Sequence, residues 1–333
     1  MLKTSISPHI HSPQNIEYAM RNVLIAMVPA LLASVYFFGV RALWLEIISI
    51  LTAILAETLM QLLLRKPVTV SDGSAAITGL LVAFNMPPNI PFYVPVVATA
   101  LGIIVVKQLF GGLGHNIFNP ALVGRVFVMF AWLPEMTTWN VPLHPDWIRH
   151  FNLFHINLDS ITSATPLAVN KLQGMSALVS QFGSKTQLYL QSFLGNTGGC
   201  IGETSELAIL IGAFYLFSRK VIWPTVPFVY IITVAVLTAL MGQDPLFHIL
   251  SGGLFLGAFF MATDYVTTPM TLSGSLVYAV GLGLLTVILR LKSGLPEGVS
   301  FSILLMNGLT PLIDKLIRVR TYGKQSKRGR DHE

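Results

Sequence analysis

The stretch Asp159-Ser160-Ile161-Thr162-Ser163-Ala164-Thr165-Pro166-Leu167 gathers hydroxyl groups among small residues. Ser163 and Ala164 let a modifying enzyme approach the chain closely. Pro166 disfavours helix at Thr165 and pushes it toward an extended backbone. The Thr165 hydroxyl is then presented to solvent, where it can accept a covalent group. The same residues also suit a Ser/Thr-rich turn that caps a helix beginning near Pro166. The residue types alone leave both readings open.

A second set of chemistry-bearing residues lies inside or at the ends of apolar runs. Glu57, Arg125 and Asp314 are in this set, with Asp72, Glu203 and Asp264. An ionisable group at bilayer depth costs about 2.5–3.5 kcal/mol, so it faces protein or water rather than lipid. The set suits an ion path or a second cofactor pocket. An intramembrane pair holding the bundle together, for example Arg125 with an acidic partner, accounts for Arg125 equally well. His115 and His248 are candidate ligands or proton carriers. Neither has a His or Cys at metal-ligand spacing, so no metal site is expected. The single cysteine, Cys200, excludes an intrachain disulfide and reads as a small apolar residue. No Walker sequence is present, and no Gly-x-Gly-x-x-Gly follows a strand signal, so NAD or ATP binding by this chain is not expected. Trp132, Trp139, Trp147 and Trp223 read as interface anchors or packing residues. No residue is assigned as catalytic.

The elements that position these residues must be membrane helices. Hydrophobic residues make up 53% of 333 positions and charged residues only 11%, against about 25% charged in ordinary soluble domains. The apolar runs are 22–40, 42–64, 73–86, 92–110, 117–133, 202–218, 221–241, 246–262, 275–292 and 299–317. They predict an all-α integral membrane fold of about ten transmembrane helices. Met1 to Arg21 is polar, so the first run is expected to act as an uncleaved anchor. The third run is short, and Gly252-Gly253 interrupts the eighth. Asp72 and Asp264 border these two irregular runs, which leans them toward a functional role.

Orientation follows from the cations. With the N-terminus in the cytoplasm, inside segments hold Lys3, Arg21, Arg65, Lys66, Lys107, Arg219, Lys220 and seven Lys or Arg between Lys315 and Arg330. Outside segments hold Arg41, Arg149, Lys171, Lys185, Arg290 and Lys292. The bias puts both termini inside and gives the +6 net charge a membrane rather than a nucleic-acid meaning. The expected organisation is a cytoplasmic segment 1–21, a five-helix repeat 22–133, a long extracytoplasmic loop 134–201, a second five-helix repeat 202–317 and a basic cytoplasmic tail 318–333. An odd number of spans per half makes the two repeats inverted, and Asn116-x-x-x-Pro120 is echoed by Asn307-x-x-x-Pro311.

The motif ending at Thr165 resembles the flavinylation signal of the D subunits of Rnf ion-translocating electron-transport complexes. A related Ser-Gly-Ala-Thr form marks the B subunit of the sodium-translocating NADH:quinone reductase. The segments Ser71–Leu81, Phe118–Arg125, Gly202–Ser205 and Ala262–Met270 resemble further family segments, in the same order, with Tyr265 where the family usually has Pro. The resemblance implies covalent FMN, moved from FAD onto Thr165 by a flavin transferase, with Asp159, Thr162, Ser163 and Ala164 forming the recognition motif. It also implies a complex with other Rnf subunits that couples ferredoxin and NAD redox chemistry to Na+ or H+ movement across the inner membrane. A non-covalent riboflavin in the membrane part is a further expectation. For an ion path or second flavin, the candidate residues are Asp72, Asn119, Arg125, Glu203 and Asp264. The B-type quinone reductase subunit is the nearest alternative. Its usual long N-terminal extension has no counterpart in the roughly twenty residues before the first run. A flavin-free channel or transporter is the alternative from another class.

Overall fold

The computed structural model describes residues 15–139, 142, 165–293 and 297–317, and these contain helices and no β-strand. Asp159, Thr162, Ser163 and Ala164, together with the basic tail 318–333, lie outside the described residues.

Helix α1 spans Ile16–Phe38. It begins six residues before the apolar run because the Asn15 side chain caps it, accepting from the Tyr18 N–H at 2.8 Å. Gly39, at φ 76°, ends it, and α2 (Val40–Leu63) follows at once. At 1.5 Å per residue, α1 and α2 are each roughly 35 Å long, enough to cross a hydrocarbon core of about 30 Å. Two later helices, α14 (Leu272–Lys292) and α15 (Val299–Leu316), are also long and apolar enough to cross. Shorter apolar helices occupy the remaining runs. They are α3 (Ser74–Phe84), α4 (Tyr93–Leu101, continuing as a π-helix through Gly102–Gln108), α5 (Pro120–Ala131), α10 (Glu206–Ser218) and α11 (Thr225–Leu240).

The eighth run is the most broken. A short α12 (Pro245–Ile249) stops before Gly252, which sits at φ +69°. The chain restarts as α13 (Leu254–Leu256) and runs into a π-helix over Gly257–Met261. The glycine pair therefore interrupts this run, as expected from the sequence.

Large apolar side chains such as Leu32, Leu55, Phe214 and Leu240 are more than half exposed. On a membrane helix this is the surface that lipid covers. Inside the bundle, α1 packs on α10, α2 on α3 and α4, α11 on α14, and α5 on α15. The α1–α10 approach is close enough to require glycine. A Cβ on Gly212 would lie 2.0 Å from the Ala26 carbonyl oxygen.

The long polar loop is also helical in its described part. After the single turn α6 (Leu133–Met136) come α7 (Pro166–Gln173), α8 (Met175–Phe182) and α9 (Lys185–Leu194). Leu167, Val169, Leu178 and Leu188 form a small core of their own, and Phe247 from α12 completes it. The unit is thus docked on the turn that precedes the broken helix. Lys171 reinforces the docking by donating to the Arg290 carbonyl at 3.0 Å and to the Ser293 carbonyl, at the C-terminal end of α14.

Replacing Gly212 with Val should lower the thermal midpoint of the detergent-solubilised chain, because overpacking costs about 1–3 kcal/mol. Size-exclusion profiles after graded heating check this against wild type.

Candidate functional site

Two buried polar clusters organise the bundle. The first centres on Lys107, in the π-helical end of α4 and only 2% exposed. Its Nζ donates to Glu57 Oε2 at 2.7 Å and to Ser74 Oγ at 2.6 Å. Gln108 donates to the other Glu57 oxygen at 2.9 Å. Ser74 Oγ in turn donates to Asp72 Oδ1 at 2.6 Å, and the same oxygen receives the Ser74 N–H at 2.8 Å. Asp72 thus caps the start of α3 and joins the Lys107 network through Ser74. It does not line the cavity next to that network. That cavity, of about 100 Å³, is bounded by Lys107, Ser74, Thr78, Asn116, Asn119 and Asp264 among mainly apolar neighbours. Asn119 is the N-cap of α5, accepting from the Ala121 N–H at 3.0 Å.

The second cluster centres on Arg125, in α5 and 4% exposed. Its guanidinium pairs with Glu297. It also donates to Asn85 Oδ1 at 2.6 Å and Ser300 Oγ at 2.7 Å. Cys200 Sγ lies 3.7 Å from Nη2. Glu203 receives the Cys200 N–H at 3.1 Å. Asn85 ends α3, Ser300 begins α15, and Cys200 and Glu203 precede α10. One side chain of α5 thus ties three helix ends. The acidic partner anticipated for Arg125 is Glu297. Cys200, read from sequence as an apolar residue, is instead packed against this charged network.

Thr165 stands beside this second cluster. It is the N-cap of α7: its hydroxyl oxygen accepts from the Ala168 N–H at 3.2 Å, and the residue is 5% exposed. Pro166 occupies the first helical position, where its missing N–H costs nothing. The expectation that the hydroxyl faces solvent is therefore corrected: the helix-capping arrangement of the same residues is the one adopted. Thr165 shares a cavity of about 20 Å³ with Glu203, Glu206, Ser251 and Glu297.

The structure thus brings Arg125, Glu203 and Thr165 to one place and Asn119 and Asp264 to another. Asp314 lies apart from both, accepting from the Met270 N–H at 3.1 Å. His115 is exposed. His248 is buried, with neither ring nitrogen hydrogen-bonded among the described residues.

Sequence reading missed Glu297, Glu206 and Asn85, and it counted Lys107 and Arg290 among the loop cations. Both cations are buried within helical segments. Arg290 donates to the His248 carbonyl at 2.5 Å and the Ser251 carbonyl at 2.8 Å. Glu297 lies in a polar stretch that carries no periodicity, so only an alignment of charges against Arg125 could have flagged it.

The docked α7–α9 unit carries a titratable clasp. Tyr189 of α9 donates to Asp244, the N-cap of α12, and Lys185 lies 3.7 Å from the same carboxylate. Burial and then the bond to Asp244 push the Tyr189 hydroxyl up to about 12. Burial alone would raise Asp244, but the Tyr189 bond, the Phe247 and Leu246 N–H groups and Lys185 outweigh it and hold it below the usual value.

The chain matches the profile of the NQR2, RnfD, RnfE family over residues 3–323. It is 45% identical to the D subunit of the Na(+)-translocating ferredoxin:NAD(+) oxidoreductase complex of Acetobacterium woodii, covering 97% of this chain and 95% of that one. It is 43% identical to the D subunit of the proton-translocating ferredoxin:NAD(+) oxidoreductase complex of Clostridium ljungdahlii, covering 96% and 95%. Against the D subunit of the ion-translocating oxidoreductase complex of Stutzerimonas stutzeri the identity is 37%, covering 94% of each chain.

Two outcomes follow from this geometry. Glu57→Ala strands a buried ammonium and should cost about 3–5 kcal/mol, whereas Glu57→Leu with Lys107→Met should recover most of it; denaturant titration of both variants checks this. A depressed Asp244 stabilises the docked unit above the unfolded-state carboxylate pKa of about 3.9, and that contribution is lost as pH falls through its lower folded value. Protease accessibility of α7–α9 should therefore rise below about pH 4 in wild type. Asp244→Asn should flatten that dependence.

Proposed function

This chain belongs to the NQR2, RnfD, RnfE family, and from that premise we propose that it is the membrane-embedded D component of a redox-driven ion translocase and carries FMN on Thr165. The supporting comparisons are with relatives named as D subunits of ferredoxin:NAD(+) oxidoreductase complexes. The single observation that carries the flavin reading is the place of Thr165. It closes the Thr-Ser-Ala-Thr motif and stands at a helix N-terminus beside the Arg125 cluster.

The chemistry of the attachment point suits a phosphoester. Thr165 supplies a hydroxyl, and the N-terminal N–H groups of α7 favour a phosphate. The isoalloxazine ring does not fit the adjoining cavity, whose volume is about 20 Å³, so the ring would lie outside it. The burial of the hydroxyl requires the first turn of α7 to loosen while a transferase acts. Once attached, the flavin supplies one- and two-electron transfer that no side chain provides. The chain's own part is to tether and orient: α7 fixes the attachment residue, and the core around Phe247 together with Lys171 holds α7 to the bundle.

The remaining features of the reading are proposals of the same standing. Ten crossings in two inverted halves are supported by helices in all ten apolar runs and by matching pairings: α2 with α4, and α11 with α14. Both termini then lie in the cytoplasm of a cell with the chain in its inner membrane, beside other Rnf subunits. Which ion moves, Na+ or H+, differs between the two relatives named above. The cavity by Lys107 and Asp264, at about 100 Å³, is smaller than the roughly 300 Å³ of ordinary small-molecule sites. A riboflavin there would need the helices around it to part.

Co-expression with a flavin transferase should give in-gel flavin fluorescence for wild type and none for Thr165→Val. Thr165→Asn keeps a helix cap but no hydroxyl, so it should also be dark while staying folded. A fluorescent Thr165→Asn band would remove Thr165 as the attachment point.

A further inference from the structure

Thr165 is packed as an interior residue, and the first turn of α7 carries the reason. Leu167 and Val169 are 6% and 9% exposed. They share one core with Leu178 of α8, Leu188 of α9 and Phe247 of α12. Leu167 also lies close to the helix break: a Cβ on Gly252 would stand 2.6 Å from its Cδ1. The first turn therefore cannot loosen alone, because freeing it strips apolar surface from all three helices. Elements that share one small core open together, as a cooperative unit.

The unit is held to the bundle at a few points, away from the Thr165 hydroxyl. Phe247 is the member of the core that the bundle supplies. Tyr189 and Lys185 of α9 meet the Asp244 carboxylate at the start of α12. Lys171 meets the Arg290 and Ser293 carbonyls. Gly195, at φ 109°, ends α9. It stays packed on the bundle, since a Cβ there would lie 2.8 Å from Phe37 Cε2 and 2.9 Å from Ser205 Cβ. The joint is thus fixed at Gly195, and the helices before it are free to swing once the clasp on α12 lets go.

The docked form excludes attachment. In the transfer, Thr165 Oγ attacks the FMN-side phosphorus of FAD. The new O–P bond forms as the bond to the AMP oxygen breaks, AMP leaves with that electron pair, and the hydroxyl proton passes to a base of the transferase. The space beside Thr165 is about 20 Å³ and is bordered by Glu203, Glu206 and Glu297. It is too small for a pyrophosphate, and carboxyl groups are the wrong lining for an anion.

We propose that α7–α9 is a docking gate over its own modification site: the three helices lift off α12 as one body, and a flavin transferase reaches Thr165 only in that undocked conformer. The proposal rests on the Thr165 attachment reading above and adds what controls it. The rate of modification then follows the undocked fraction, which residues remote from Thr165 set.

The full-length chain, made without a flavin transferase and purified in detergent, is incubated with purified transferase, FAD and Mg2+. The initial rate of covalent flavin incorporation is read by in-gel fluorescence. Hydrogen exchange of the α7–α9 fragments is followed by mass spectrometry on the same chains without transferase. Asp244→Asn keeps the α12 cap but loses the charge that faces Lys185 and Tyr189, and it should speed both readouts several-fold. Phe247→Ala should speed both by roughly tenfold or more. In each variant the two readouts should rise by the same factor. Faster exchange with an unchanged flavin rate would overturn the gate, as would unchanged exchange in both variants when they are monodisperse and helical. Flavin on Thr165 at equal rates in all three chains removes the gate alone. Its absence from Thr165 in all three removes the attachment reading and the gate with it.

Discussion

The pairing of Arg125 with Glu297 is the constraint around which the bundle is arranged. A guanidinium buried at bilayer depth cannot stand alone, and breaking such a pair from one side costs about 3–5 kcal/mol. Here the charge is surrounded by groups from separate parts of the chain: Asn85 at the end of α3, Cys200 and Glu203 before α10, and Glu297 and Ser300 at the start of α15. The farthest of them from Arg125 in sequence, Ser300, is 175 positions away. Satisfying one cation therefore fixes how the first apolar half meets the second. It also fixes the floor on which α7, and with it Thr165, is set.

Two further buried cations follow the same logic with different partners. Lys107 sits at the end of α4 and its π-helical extension, and reaches the first residue of the short α3 through Ser74. Arg290 sits near the end of α14 and reaches carbonyls at the break before α13. In each case a long side chain supplies donors where a helix is short or interrupted and backbone or hydroxyl acceptors would otherwise be unpaired. The irregular segments persist at membrane depth because protein groups, not lipid, meet them. The Lys107 network is closed, with Glu57 taken up by Lys107, Gln108 and Gln61. The Arg125 network is open on the side of Thr165, where carboxylate oxygens remain unpaired among the described residues.

Much of this was legible in the sequence, because apolar periodicity and helix breakers act locally. The helices sit at the apolar runs, and the short α3 and the Gly252-Gly253 break stand where composition placed them. Arg125 was legible as a residue in need of an acid. The acid was not, since Glu297 lies in a polar stretch and meets Arg125 only through tertiary folding. Lys107 and Arg290 were taken for loop cations because a charge ends an apolar run whether it snorkels to water or turns inward to a partner. Thr165 shows the same limit in miniature. Its neighbours permit both an exposed acceptor and a helix cap, and the packing of Leu167 and Val169 against Phe247 decides for the cap. The other motif residues, from Asp159 to Ala164, lie outside the described residues.

The most direct test of the flavin assignment is peptide mass spectrometry of the native protein, read on the tryptic fragment between Arg149 and Lys171. The expected result is a mass increment equal to FMN less one water, with fragmentation placing it on Thr165. An unmodified fragment from a strain that carries an active flavin transferase, or an increment placed on Ser160, Thr162 or Ser163, would contradict it.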